Sequence, residues 1–241
     1  MNAFVSRQVI VSGRKPRPAI SARAKRSAIF AKWLKFIVPA LSVTFLTASI
    51  RAGVQTNAPR EESVAPSPFA AGTHELQLGL SYNISTSTNG PLRPAIGDLD
   101  ANLRCGWMLN SPGGNGFFRG NCEFLVEAVA GGFTVGPGAV IAGGTLIFRY
   151  NFIQPSARWI PYIQAGLGAV YTDAYRQRPQ RLLGEAFEFT AQGEIGVRYQ
   201  LTPHTSVYAE TGYRHISNAG LADRNYGLNS VAAQAGMSWL W

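Results

Sequence analysis

The fold is decided by strict alternation at residues 74–84, which read HELQLGLSYNI. The apolar side chains all fall on one parity: Leu76, Leu78, Leu80, Tyr82 and Ile84. The other parity carries Glu75, Gln77, Gly79, Ser81 and Asn83. Because successive side chains of a β-strand point to opposite faces, this pattern predicts a strand with one apolar and one polar face.

The same alternation recurs in seven further segments, at about residues 98–109, 118–128, 140–152, 159–171, 187–199, 207–214 and 230–241. Strands of this length can cross a membrane at a tilt. Hydrocarbon offers no partner to an unpaired strand edge, so membrane strands must close on themselves. The sequence therefore predicts an all-β fold, an eight-stranded antiparallel transmembrane β-barrel.

A soluble barrel with an apolar lumen would show the same alternation, but three features favour a membrane barrel. Charged residues of both signs fall on the polar face, as expected for a small lumen filled by ion pairs. The chain ends on Trp241, which closes an alternating apolar strand. Aromatic side chains also collect at both ends of the apolar face, like the interfacial girdles of membrane barrels. They are Trp107, Phe118, Tyr150, Phe152, Trp159, Tyr199, Trp239 and Trp241 towards one rim and Tyr82, Tyr171, Phe187 and Tyr213 towards the other.

The first 52 residues have the order of a secretory leader. A long basic n-region precedes an apolar run from Phe36 to Ile50, and small residues follow near Ala52. The run is shorter than the roughly 20 residues of a membrane-spanning helix and contains Pro39. We predict a signal peptide over residues 1–52, with an uncleaved anchor as the alternative. Residues 53–72, rich in Ala, Pro and Ser, predict a flexible periplasmic segment, and residues 73–241 the barrel.

The leader also accounts for the basic character of the chain. The formal net charge is +9, yet ten of the 22 Lys and Arg residues lie at or before Arg51 and all 13 acidic residues lie after it. The remainder is close to neutral, so a nucleic-acid partner is not predicted.

The two cysteines, Cys105 and Cys122, lie on neighbouring predicted strands, roughly equidistant from the turn between them. A cross-strand disulfide in the oxidising envelope is one interpretation. Two thiols packed against lipid is the other. The Cys and His spacings predict no metal site, and the glycine-rich stretches lack the Lys and helix of a phosphate-binding loop. Neither a metal nor another cofactor is expected.

Candidate chemistry lies at the end of the seventh predicted strand, where residues 213–221 read YRHISNAGL. His215 and Ser217 are two residues apart, so in a strand they share a face about 6 to 7 Å apart at the backbone. Their side chains can meet, which would let His215 act as general base for a nucleophilic Ser217. Parity places the pair on the lipid-facing side. Short connections at residues 111–116, 154–158 and 202–204 alternate with longer ones at 85–97, 131–138, 172–185 and 219–227, and because long loops of membrane barrels face outside, this end of the strand is predicted to lie at the extracellular rim. A polar pair there without a purpose would cost free energy. This rim is level with the outer leaflet, whose lipid is lipopolysaccharide.

These residues resemble a known family, the lipid A 3-O-deacylases (PagL-like) and their acyloxyacyl-hydrolase-like relatives. The core of the resemblance is HISNAG at residues 215–220, followed by Asn225 and Gly227. Further similarity lies in residues 119–123, 149–152 and 159–168. The resemblance covers essentially all of the chain after Gly72.

The resemblance implies an esterase of the Gram-negative outer membrane that removes the ester-linked 3-hydroxyacyl chain from position 3 of lipid A. Its partners would be lipid A, as part of lipopolysaccharide, and the outer membrane, and a homodimer is left open. Ser217 is then the nucleophile and His215 the base. The Asn218 side chain and the backbone N–H of Gly220 are the candidate oxyanion hole. Asn225 would shape the site.

One position departs from the family pattern. Where characterised deacylases have a Glu to orient the His, this sequence has Asn229. An Asn can hold an imidazole in the required tautomer but cannot stabilise the imidazolium by charge. Asp223 in the preceding loop is the alternative acid. A non-catalytic outer-membrane barrel with a structural or adhesive role is therefore the alternative function.

Three arginines lie together in the predicted loop at residues 172–185: Arg176, Arg178 and Arg181. We expect them to contact the phosphates of lipid A through charge-assisted hydrogen bonds. A merely solvated loop is the alternative interpretation.

Overall fold

The computed structural model describes residues 67–86 and 88–241. Within them, eight antiparallel strands pair in chain order and close into a barrel. The strands are β1 (His74–Ser85), β2 (Gly97–Met108), β3 (Gly120–Val135), β4 (Val140–Phe152), β5 (Trp159–Thr172), β6 (Phe187–Thr202), β7 (Thr205–Ser217) and β8 (Leu228–Leu240). The predicted fold class is confirmed, whereas the predicted signal peptide and residues 53–66 lie outside the described part. Residues 67–86 and 88–241 contain no helix that could span a membrane.

The two parities of each strand have opposite burial. In β1, Glu75 and Gln77 are buried in the lumen, while Leu78 and Leu80 are 48% and 62% exposed on the outer surface. A soluble barrel with an apolar lumen would require the reverse arrangement. An apolar outer surface is stable in the hydrocarbon of a bilayer, which indicates a transmembrane barrel.

Charged side chains of both signs fill the middle of the lumen: Glu75, Asp98, Asp100, Arg104, Glu123, Glu127, Arg149, Arg198, Glu210 and Arg214. Arg104 lies 2.6 Å from Glu127 and 2.7 Å from Glu210. Arg198 of β6 lies 2.8 Å from Glu75 of β1, across the lumen. Of these three pairs, Arg104–Glu127 joins the neighbouring strands β2 and β3, and the other two join strands that are not neighbours in the sheet. They satisfy charges that would otherwise be buried without compensation.

Apolar clusters close both ends of this charged lumen. Ile96, Val129, Ile141, Val170, Ala174, Leu182, Leu183, Ile216 and Leu228 form the extracellular cluster. The periplasmic cluster consists of Phe69, Met108, Ile153, Ile160 and Leu240. Phe69 is only 2% exposed, and its carbonyl oxygen accepts a hydrogen bond of 2.9 Å from the Asn121 side chain. Phe69 thus packs into the periplasmic end of the barrel, and the boundary at Gly72 stays a prediction.

The connections differ from the predicted lengths in two places. β3 continues to Val135 and still pairs with β2, so only residues 136–139 link it to β4 at the extracellular end. The periplasmic connection of residues 109–119 is longer and contains a short 3-10 helix, Gly116–Phe118. The other connections keep the predicted pattern: those at 86–96, 173–186 and 218–227 are long, and those at 153–158 and 203–204 at the opposite rim are short.

The strand register excludes the disulfide. Cys105 lies opposite Val126 in the β2–β3 pair, and Cys122 is four residues farther along β3. At roughly 3.3 Å per residue the offset is about 13 Å, beyond the roughly 7 Å that a disulfide permits between Cα atoms. Both thiols are free. The disulfide interpretation is therefore wrong.

We expect Arg104→Met to destabilise the barrel, because Glu127 and Glu210 lose their shared buried counter-ion. Breaking a buried ion pair by removing one partner costs about 3–5 kcal/mol. The free energy of unfolding, measured by urea titration in detergent micelles, should fall by this amount. Arg158→Met, at an exposed position on the periplasmic rim, should change it by less than about 0.5 kcal/mol. Equal stability of the two variants would contradict the role given to the lumen network.

Candidate active site

The candidate site lies on the outer face of the barrel, at the extracellular ends of β7 and β8. Ser217 is the last residue of β7, and Asn229 is the second residue of β8. Cross-strand pairing sets His215 directly opposite Asn229. All three side chains share the outward parity and are half-buried. The β7–β8 register therefore brings together the three residues that the sequence singled out.

Two hydrogen bonds connect these side chains in a row. The Nδ1 atom of His215 is 2.6 Å from Oδ1 of Asn229, and Nε2 is 3.0 Å from Oγ of Ser217. An amide oxygen can only accept, so Nδ1 carries the proton and Nε2 presents its lone pair. Ser217 then donates its hydroxyl proton to Nε2. This is the hydrogen-bond pattern of a Ser-His-acid triad, with a neutral amide in place of the acid.

Gly227 provides the seat for the imidazole ring. Its φ is +75°, and a Cβ atom at this position would lie 2.7 Å from Cε1 of His215. Real Cβ atoms do not approach other atoms so closely, so a side chain here would displace the ring. The family resemblance includes Gly227 but does not predict that it contacts the His215 ring. Its contact with the ring depends on the tertiary fold.

A tight turn follows Ser217. Ala219 and Gly220 both have left-handed backbones, with φ of 54° and 80°. The left-handed conformation costs a non-glycine residue about 1–2 kcal/mol, so Ala219 must be held in place. Asn218 supplies the restraint, since its Oδ1 accepts the Gly220 N–H at 3.0 Å and its backbone oxygen accepts the Leu221 N–H at 3.0 Å.

Asn225 and Thr86 hold the two sides of the site. Oδ1 of Asn225 accepts the backbone N–H of Asn218 at 2.9 Å. Thr86 donates its backbone N–H to the carbonyl oxygen of Asn229 at 2.9 Å. No sequence pattern indicates a role for Thr86, because it lies beyond the alternating part of β1.

The two predicted oxyanion-hole donors are not equivalent. The single backbone N–H of Gly220 is already bonded to Asn218. One N–H of the Asn218 amide donates to the carbonyl oxygen of Arg224 at 3.0 Å. In the described part of the chain the second N–H of this amide has no acceptor. The Asn218 side chain thus keeps one N–H without a partner in that part of the chain, and the residue is only 1% exposed.

Asp223 lies on an exposed loop. Within residues 67–86 and 88–241, it forms no ion pair with His215, whose Nδ1 atom instead contacts Asn229. The structure therefore brings Asn229, and not Asp223, to the acid position.

The loop between β5 and β6, residues 173–186, carries Arg176, Arg178 and Arg181, and all three are exposed. At its base, Asp173 accepts the backbone N–H groups of Ala139 and Val140 at 2.8 and 3.0 Å. These two hydrogen bonds hold the pKa of the Asp173 carboxyl below its ordinary value. The loop is therefore anchored at neutral pH, and this contribution is lost only in acid, as the pH falls through the lowered pKa.

We expect Gly227→Ala to break the hydrogen bond between His215 and Ser217, because the new methyl group would overlap the imidazole. A crystal structure of the variant should show the Nε2–Oγ separation beyond hydrogen-bond range. Gly116→Ala is the matched control, since Gly116 also has positive φ but has nothing within 4 Å of a Cβ. An unmoved imidazole in Gly227→Ala would contradict the proposed seat.

Comparison with known proteins gives a family match and several structural similarities. A family model described as lipid A 3-O-deacylase (PagL) matches residues 97–238, more than half of the chain. No curated protein sequence matches. Neisserial surface protein A is 16% identical with a TM-score of 0.49, over 70% of this chain and 98% of its own. The outer membrane enzyme PagL is 21% identical with a TM-score of 0.45, over 66% and 97%. The outer membrane protein OprG from Pseudomonas aeruginosa is 13% identical with a TM-score of 0.41, over 71% and 97%.

The matched residues run from the start of β2 nearly to the end of β8 and contain Ser217, His215 and Asn229. The apolar outer face of the barrel agrees with a place in the Gram-negative outer membrane. The chain belongs to the lipid A 3-O-deacylase (PagL) family of outer-membrane proteins.

Proposed function

We propose that this protein is an esterase that removes the ester-linked 3-hydroxyacyl chain from position 3 of lipid A, with Ser217 as its nucleophile. The observation that carries the proposal is the row of hydrogen bonds from Ser217 through His215 to Asn229, 3.0 and 2.6 Å long. Nucleophile and base already lie within reach of one another for proton transfer. Membership of the deacylase family supports the choice of lipid A.

The reaction follows from the direction of these hydrogen bonds. Oγ of Ser217 attacks the acyl carbonyl carbon while its proton passes to Nε2 of His215. When the tetrahedral intermediate collapses, the ester C–O bond breaks and His215 returns the proton to the sugar oxygen that leaves. Water, deprotonated by His215, then hydrolyses the acyl ester on Ser217. The products are the 3-hydroxy fatty acid and lipid A with a free hydroxyl group at position 3.

The negative charge on the carbonyl oxygen needs a donor beside Ser217. In this proposal the unpaired N–H of the Asn218 amide supplies it, since that donor is fixed by its bond to the Arg224 carbonyl. Removing one such donor costs other hydrolases about 100- to 1,000-fold in rate. Gly220 would contribute only after it exchanges its bond with Asn218.

Asn229 acts as a positioning residue in this mechanism. Its amide oxygen holds the Nδ1–H tautomer of His215, so that the base is ready before substrate binds. The amide lacks the negative charge that would stabilise the imidazolium formed during attack. We therefore expect a slower reaction than an acid at this position would permit.

The site faces the substrate in the plane of the membrane. Below His215 on the outer face lie the exposed side chains of Tyr213 and Val231, which belong to the lipid-facing belt. Acyl chains of the outer leaflet run alongside this belt, so the scissile ester can reach Ser217 without leaving the membrane. The phosphates of lipid A, on the extracellular side of this ester, would then be contacted by Arg176, Arg178 and Arg181. A single barrel supplies every residue that the proposal requires.

Lipid A from cells that express the protein should lose the mass of one hydroxyacyl chain. Ser217→Ala and His215→Ala should each abolish nearly all of this loss, because neither group can be replaced by the other. Mass spectrometry of extracted lipid A measures the change, and altered gel mobility of unheated samples confirms that the variants fold. Ser156→Ala, at an exposed periplasmic turn, is the control and should retain activity.

Two outcomes would contradict the proposal in different ways. An unchanged lipid A spectrum with well-expressed wild-type protein would favour a non-catalytic barrel with a structural or adhesive role. Full activity in Ser217→Ala would retain the enzyme but exclude this site.

A further inference from the structure

We propose that Arg224 is a positioning residue that fixes Ser217 by fastening the loop at residues 173–186 to the turn around Asn218. The structural part of this inference stands on contacts alone, whereas its effect on rate rests on the proposed function. Arg224 does not touch the reacting groups. It acts through Asn218.

The guanidinium of Arg224 is surrounded by backbone carbonyl oxygens of one loop. Nη2 donates to Tyr175 at 2.6 Å and to Gly184 at 3.4 Å. Nη1 donates to Gln180 at 3.3 Å and to Gln177 at 3.4 Å. In the described residues this guanidinium has no carboxylate partner within ion-pair distance. The four oxygens thus use the planar fork of donors that only an arginine carries.

The loop that supplies these oxygens is itself well anchored. The Gln180 side chain donates to the carbonyl oxygens of Ala174 and Leu183 at 3.1 and 2.7 Å and accepts the Leu183 N–H at 3.0 Å. Leu182 and Leu183 are buried in the extracellular apolar cluster. Arg224 is therefore attached to a firm support and not to a freely moving segment.

The backbone of Arg224 connects the anchored loop to Asn218 in the candidate site. Its carbonyl oxygen accepts the Asn218 side-chain N–H at 3.0 Å, and Asn218 follows Ser217 directly in the chain. A Cβ atom on Gly184 would lie 2.2 Å from the same oxygen, so the two backbones are in close contact. Movement of Arg224 would release both the Asn218 amide and the backbone next to Ser217.

The same loop also supports the opposite side of the site. Arg181 accepts the backbone N–H of Tyr226 at 2.9 Å, and Leu182 accepts that of Gly227 at 3.1 Å. Gly227 is the residue on which the His215 ring rests. Arg224 and these two backbone hydrogen bonds together set the distance between base and nucleophile. A misplacement of about 1 Å at such a distance can lower the rate on the order of 100-fold.

The test compares Arg224→Met and Arg224→Lys with wild-type protein in detergent-solubilised deacylation assays on purified lipopolysaccharide. We expect kcat of Arg224→Met to fall by one to two orders of magnitude, about 10- to 100-fold, with KM nearly unchanged. The kcat of Arg224→Lys should lie between those of Arg224→Met and wild type, since an ammonium can donate to some of the four carbonyl oxygens but not to all. Arg158→Met, which removes an exposed arginine at the other rim, should match wild type.

Amide hydrogen exchange provides a readout that does not depend on activity. In Arg224→Met the backbone N–H groups of Asn218 and Gly220 should exchange at least about tenfold faster, while the strand amides keep their protection. Should Arg224→Met fail to fold, Arg224→Lys serves for the same comparison. If wild-type protein proves inactive, the proposed function fails and exchange alone decides the inference about Arg224.

Three results would overturn the proposed role of Arg224. Unchanged exchange at Asn218 and Gly220 would show that Arg224 does not restrain the turn. An unchanged kcat would show that the restraint does not matter for reaction. A raised KM with unchanged kcat would assign Arg224 to substrate binding instead.

Discussion

The register of the strands is the constraint on which the rest of this structure depends. Hydrocarbon offers the backbone no hydrogen-bond partners, so every strand must pair with two neighbours. Closure then fixes which parity faces the lumen. A slip of one residue would turn each apolar face inward and each lumen charge into lipid. In β7 it would also move His215 and Ser217 into the lumen, away from any lipid substrate. The ion pairs that cross the lumen, such as Arg198 with Glu75, fit only the observed arrangement.

The alternation in the sequence predicted the strands, their lipid-facing sides and the pairing of His215 with Ser217, because period two directly reports which face a side chain occupies. It does not report register. The position of Cys122 relative to Cys105 depends on the length of the connection at residues 109–119, which alternation leaves undetermined. Alternation also carries no information about contacts made by loops. Nothing in the sequence indicates that Arg224 donates to four carbonyl oxygens or that Phe69 fills the periplasmic end.

A neutral residue at the acid position changes how the site must work. Asn229 contributes geometry, through a hydrogen bond of 2.6 Å, but no charge. In the proposed reaction, catalysis then relies more heavily on groups that are in place before the substrate arrives. The structure contains several: the glycine seat at residue 227, the strained turn at Ala219 and the loop fastened by Arg224. Each limits movement of His215 or Ser217 without touching the substrate.

We propose that Asn229 orients His215 in place of an acid. The most direct test is the rate of lipid A deacylation by Asn229→Ala, Asn229→Glu and Asp223→Asn. Loss of the hydrogen bond in Asn229→Ala should lower kcat, whereas Asn229→Glu should keep or raise it by placing a charge opposite the imidazolium. Asp223→Asn should behave like wild type. If Asp223→Asn abolishes activity while Asn229→Ala does not reduce it, the acid comes from the loop and the assignment of Asn229 is wrong.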